Sequence, residues 1–170
     1  MILKGLYQVI MDRIQQQCPE VKYIDLFNDQ FNYEDQEDAF NTPAVLVEFA
    51  PFETRSLSEG RQDMEVPFIL HVGTEQYEEA SSREELAHRT RALEHLNTID
   101  SVSKALHRFG QGIGGDIVRT GFETDVNHFN MYVHKISFKL RMVDDIALAR
   151  YIPLGTGHPN MNFNDEIVNP

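Results

Sequence analysis

The chain holds a single cysteine and no tryptophan, and no stretch approaches the roughly 18 consecutive apolar residues of a membrane-spanning helix. A lone thiol, Cys18, cannot close an internal disulfide or join a multi-cysteine zinc site. That excludes stapled secreted scaffolds and fits a reducing compartment. The opening Met1-Ile2-Leu3-Lys4-Gly5-Leu6 lacks a charged n-region, a long apolar block and a small-residue cleavage site, so the expected product is intracellular. Positive charge is also scarce: 15 Lys and Arg stand against 27 Asp and Glu, a formal net charge of −12 with a pI near 4.9. Such a balance argues against a nucleic-acid coat or a polybasic membrane binder, both of which need cations facing phosphate. It is compatible with a channel to which DNA must not stick. Motifs with a defined chemistry are missing as well: there is no G-x-x-x-x-G-K-[ST], no G-x-S-x-G and no H-E-x-x-H. No cofactor, metal or enzymatic activity is expected.

What remains suffices for a folded domain, since 41% of the 170 residues are hydrophobic and 11 of them are Phe. Residues 2–16 place Leu3, Leu6, Ile10 and Ile14 at helical spacing, and Cys18-Pro19 ends the segment. Val21 to Phe27 reads as a short strand. The stretch 28–42 carries Asp29, Glu34, Asp35, Glu37 and Asp38 with no Lys or Arg, interleaved with Phe31, Tyr33 and Phe40. It reads as an acidic surface loop whose aromatics either tuck beneath it or dock on a partner. Pro43 opens a strand running to Phe49, in which Leu46 suggests burial on both faces. In 64–73, Met64, Val66, Phe68, Leu70 and Val72 alternate with more polar neighbours, the period of a half-buried strand, and Pro67 suggests an edge or a bulge. Ser58-Glu59-Gly60 is a turn signal, so these two strands are expected to form a long hairpin.

Between Ser81 and Phe109 the pattern becomes helical, with Ser82-Arg83-Glu84-Glu85 resembling a capping box and Leu86, Thr90, Leu93 and Leu96 on one face. Ile99, Val102, Leu106 and Phe109 lie about half a turn away, which predicts two consecutive helices broken at Asn97-Thr98 and ended by Gly110. A second hairpin follows, with Val118, Thr120, Phe122, Thr124 and Val126 on one side of its first strand. Tyr132, Ile136, Phe138, Leu140 and Met142 face one way on its second, and Asn127 to Asn130 make the turn. The expected class is α+β: a mostly antiparallel sheet of two hairpins with helices packed on one face, in the order helix, strand, hairpin, helices, hairpin. One domain covers 1–150. An extended C-terminal arm, 151–170, carries Pro153, Pro159 and little periodicity, yet Tyr151, Ile152, Leu154, Met161, Phe163, Ile167 and Val168 give it more apolar content than a solvated tail needs. Docking on a neighbouring subunit and a loose tail are both open to it.

Three constellations merit weighing for chemistry. Gly110-Gln111-Gly112-Ile113-Gly114-Gly115 spells G-x-G-x-x-G, but it follows a helix and leads into a strand, the reverse of what pyrophosphate binding requires, and reads as a connecting loop. His88 and His95, seven apart with Glu84 before them, share a helical face. With no converging third ligand, they read as surface or packed histidines. Lys135, Lys139 and Arg141 lie on the polar face of the last strand, either as a solvated face that discourages edge pairing or as a positive strip meeting the acidic loop of a neighbour.

In the order of its elements, in Thr42-Pro43-Ala44-Val45-Leu46-Val47-Glu48-Phe49, in the helix 100–109 with its Leu106-His107-Arg108-Phe109 ending, and in the closing strand Ile136-Ser137-Phe138-Lys139-Leu140-Arg141-Met142, the chain resembles the tail terminator or tail completion proteins at the head-to-tail joint of long-tailed bacteriophages and prophages. The likeness covers about residues 1–145 and omits the arm and the acidic loop. It implies a structural virion protein that forms a homo-oligomeric, hexameric ring, caps the tail tube, docks the head connector and lets DNA pass non-specifically through its lumen. A neck, stopper or other tail adaptor ring is the alternative within that class. A small metal- or ligand-binding enzyme domain is the alternative outside it.

Overall fold

The computed structural model describes residues 2–32, 41–57, 60–75, 81–128 and 131–145. Helix α1 spans Ile2–Gln17, and its stripe puts Leu6, Ile10 and Ile14 into the core. The chain then forms β1 (Tyr23–Leu26), a single 3-10 turn at Gln30–Asn32, β2 (Ala44–Phe49), the short β3 (Thr54–Ser56) and the long β4 (Gln62–Glu75). Helices α2 (Leu86–Ala92) and α3 (Glu94–Leu106) precede the hairpin β5 (Ile117–Asp125) and β6 (Met131–Asp144). The fold is α+β, with six strands in one mixed sheet ordered β1-β2-β4-β6-β5 and β3 pairing beside β4.

The expected hairpins are present. β2 pairs antiparallel with β4, and β5 with β6. The short strand pairs parallel with β2, so all four residues from Ala44 to Val47 are buried, as Leu46 suggested. β4 and β6 run antiparallel from Gln62↔Asp144 to Glu75↔Met131. Their alternation sends Val66, Phe68, Leu70, Ile136, Phe138 and Leu140 to the helical side, where Phe68 and Phe138 stack with ring centroids 5.4 Å apart. Leu6, Ile10 and Ile14 of α1 and Ile99, Val102 and Leu106 of α3 close over them in one hydrophobic core. The two helices are also tied at the end of α3, where Arg13 Nε donates to the Ala105 carbonyl at 3.0 Å and the guanidinium lies 4.6 Å from the Phe109 ring centroid. A cation there also meets the negative end of the helix dipole.

Several expectations are corrected. Pro67 lies neither on a sheet edge nor at a bulge, because β4 is central. Its carbonyl accepts from Ala50 N at 3.1 Å, so its missing N–H faces the gap between the end of β2 and the start of β3 and costs no bond to β6. The helix break falls at Leu93, a turn before Asn97-Thr98. No capping box forms: Ser81 Oγ accepts from Arg83 N at 3.3 Å in a local turn, and Glu85 stands at the N-cap without a side-chain bond. α3 ends at Leu106 with His107 as its C-cap, and the left-handed residue that follows is Arg108 (φ 62°), not Gly110. Finally, β5 carries a register shift between Arg119 and Gly121. Val118 pairs with Lys139 on the outer side while Phe122 pairs with Ile136 on the helical side, so the two do not share a face.

The glycine-rich loop is shaped by backbone demands. Gly112 and Gly114 each have φ of 81°, and a Cβ on Gly115 would overlap the carbonyl oxygen of Arg141 in β6. Gly115→Ala is therefore expected to lower stability by about 1–3 kcal/mol, the usual cost of overpacking. Gly5, exposed in α1 with no atom within 4 Å of a built Cβ, is the contrasting site. Gly5→Ala should raise stability by about 0.5–1 kcal/mol. Urea titrations of the two variants check both signs.

Candidate functional site

Two surfaces concentrate the residues with chemical potential, one on each side of the sheet. On the outer side, away from the helices, β6 presents Lys135, Lys139 and Arg141 as expected. Each is held by an acid one step off its directly opposed residue. Lys135 Nζ lies 2.8 Å from Asp125 Oδ2, Lys139 Nζ donates to Glu65 at 3.2 Å, and Arg141 grips Asp63 through Nε and Nη2 at 3.1 and 2.8 Å. Such diagonal pairs are in reach across an antiparallel ladder. The hydrogen bond from Lys135 is the main reason the Asp125 carboxyl is held down to about 2, and the hydrogen bond from Arg141 likewise lowers Asp63. The strip thus exists, but its charge is matched within its own chain. Asp29, with φ of 60°, starts the 3-10 turn and accepts from Asn32. Glu34, Asp35, Glu37 and Asp38 of the acidic loop, and Tyr151, Ile152 and Phe163 of the arm, lie outside the described residues.

The same outer face buries a histidine that no sequence motif singles out. His71, opposite Lys135 in register, is 3% exposed, stacks on Phe27 at 3.9 Å and has Nε2 2.7 Å from Glu48 Oε2. Burial lowers its pKa despite the carboxylate, so the ring is neutral at pH 7 and donates its Nε2–H to Glu48. Phe31 lies across Gly73, where a Cβ would overlap its ring, and meets His128 edge-on at 6.1 Å. Phe31 thus packs against the sheet at Gly73, while Tyr33 and Phe40 lie outside the described residues.

On the helical side, the sheet runs past the helices at its β5 end. Leu86, Leu93 and Leu96, the first helical stripe, are 71%, 44% and 42% exposed, and Phe122 on β5 is 53% exposed. Leu96, Ile99, Asp100, Arg119, Gly121 and Phe122 line an open cavity of about 670 Å³ between α3 and β5. Beside it stands a ladder of rings. Phe122 stacks on His134 at 5.4 Å, His134 on His95 at 5.5 Å, and His95 on Tyr132 at 4.6 Å. His95 Nδ1 is bonded to the Ala92 carbonyl at 2.8 Å, and His134 Nδ1 to Thr124 Oγ1 at 3.2 Å, while His134 Nε2 is buried without a partner among the described residues. Burial, then the nearby His95, push the His134 pKa down. The break at Leu93 places His88 and His95 on separate helices, so the shared face expected of them does not form. His88 instead lies 3.7 Å from Glu84.

Among the described residues, no three of His, Cys, Asp and Glu stand together as metal ligands, and no helix is long and apolar enough to cross a membrane. Cys18 is buried, and its thiol is pushed up to about 11, chiefly by burial. It is a packing residue, not a nucleophile at neutral pH. No protein-family model matches the chain, and no curated protein matches it significantly.

Both histidine environments make stability depend on pH. His71 and His134 have lowered pKa values in the fold, so the unfolded chain binds more protons just below the ordinary imidazole value of about 6.5. Their contribution is complete above that value and is lost as the pH falls through it. Cooling the net negative charge by acidification acts in the opposite direction, so the comparison is between proteins. Between about pH 7.5 and about pH 5.5, the change in Tm for His134→Phe should be less unfavourable than for wild type. Identical shifts would remove His134 from the account. Lys135→Met, which leaves the Asp125 carboxylate without its cation, should cost about 1 kcal/mol in chemical denaturation at neutral pH.

Proposed function

We infer that the chain is a structural subunit of the head-to-tail joint of a long-tailed phage or prophage: a tail terminator that assembles as a hexameric ring. In that role the ring caps the tail tube and docks the head connector, and DNA passes through its lumen within the virion. The observation that carries the reading is the asymmetry of the sheet. One end is β1, added in parallel; the other is β5, bulged and bordered by exposed apolar residues on the helical side. Unlike surfaces at opposite ends suit head-to-tail contacts, which form a ring where the rotation between copies closes, whereas a two-fold dimer uses one self-complementary patch twice.

Two further features support it. The order α1, the β2–β4 pair, α2–α3 and the β5–β6 hairpin is the order on which the resemblance to tail terminators rests. The net charge of −12 suits a wall that repels phosphate. The outer ion pairs fit a structural role, since Lys135, Lys139 and Arg141 are each matched by an acid of the same chain.

Native mass measured over a range of protein concentrations, with negative-stain images of the large species, tests the reading. A closed six-fold ring is the expected result. A stable two-fold dimer would overturn it, because that assembly uses one patch twice. Tail tubes incubated with the ring and imaged for density at one end would separate a terminator from a neck or stopper ring.

A further inference from the structure

The exposed apolar groove between α3 and β5 is not explained by the core. Leu96 on α3 and Phe122 on β5 line an open cavity instead of closing it. Two large, exposed apolar side chains facing one open cavity mark a place that something covers. We propose that its occupant is the 151–170 segment of a neighbouring copy, which links one subunit to the next. This rests on the ring reading above, which supplies the neighbour.

The chemistry of the segment fits the groove. It carries Tyr151, Ile152, Leu154, Met161, Phe163, Ile167 and Val168, enough apolar side chains to fill a cavity of about 670 Å³. Its charged residues are Asp165 and Glu166, with no Lys or Arg. The groove offers Arg119, which has no acid within ion-pair distance among the described residues even though Asp100 lines the same cavity. Pro153 and Pro159 lack N–H donors, and the register shift in β5 interrupts its ladder, so the segment is held by side chains in the groove more than by an added strand.

The test uses the full chain beside two variants, deletion of 151–170 and Leu96→Glu, with Phe122→Glu as a second groove variant. All three change exposed or terminal positions, and circular dichroism and Tm verify the folded core. Each variant alone is expected to associate at least tenfold more weakly than wild type. Mixed, the deletion protein and Leu96→Glu should form a one-to-one heterodimer, because the first keeps a groove and the second keeps an arm. Variants that assemble like wild type would overturn the proposal while leaving the ring intact. Folded variants that lose assembly but do not pair on mixing would place the segment on its own groove, which also overturns it. A wild-type two-fold dimer would sink the ring reading and this proposal together.

Discussion

The β4–β6 ladder is the constraint on which the rest of the molecule depends. Two strands of 14 residues each pair along their whole length, from Gln62↔Asp144 to Glu75↔Met131, with no shift of register. Because side chains alternate across a sheet, one register fixes both faces at once. A slip of β6 by one residue would send Phe138 to solvent and Lys139 and Arg141 into the core. The helical face is therefore apolar and the outer face ionic for a single geometric reason, and α1 and α3 find their seat only because that choice has been made.

The bulge in β5 is where this regularity stops. Up to Arg119 the strand follows the alternation of β6. After the shift it is out of phase, and Phe122, opposite Ile136, is on the helical side beyond the cover of α3. A bulge at an edge blunts pairing with another sheet while re-aiming side chains. Here it leaves an aromatic and an arginine facing the same open space as Leu96. The groove and the bulge are thus one feature, and a straight β5 would have offered a plain strand edge instead.

Elements whose pattern was set by burial on one side were legible in the sequence. Leu6, Ile10 and Ile14 gave α1; the alternation through Val66, Phe68 and Leu70 gave β4; that through Ile136, Phe138 and Leu140 gave β6. Legibility failed where a residue answered to a neighbour distant in sequence. Pro67 reads as an edge signal because the gap between β2 and β3 that accommodates it is visible only once both strands are placed. Leu86, Leu93 and Leu96 read as one face of a helix, and nothing local distinguishes such a stripe from a core stripe. The positive strip was legible as positions, since the period of two sets them on one face, but not as charge. Asp63, Glu65 and Asp125 come opposite only through the register of other strands. His71 and His134 were invisible as a class, because their burial comes from Phe27 and from the stack with His95 and Phe122.

The pairing of those cations narrows how copies of this chain can hold one another. An exposed ion pair yields little when it exchanges one partner for another, since both states are solvated and screened. If Lys139 and Arg141 were to bind acids of a neighbour, they would first have to release Glu65 and Asp63, and the gain would be the small difference between two similar contacts. Apolar surface has no such internal substitute: Leu93, Leu96 and Phe122 face water until something covers them, and each gains by the full area that is covered. In the proposed ring, cohesion between copies would therefore fall to the helical side of the β5 end.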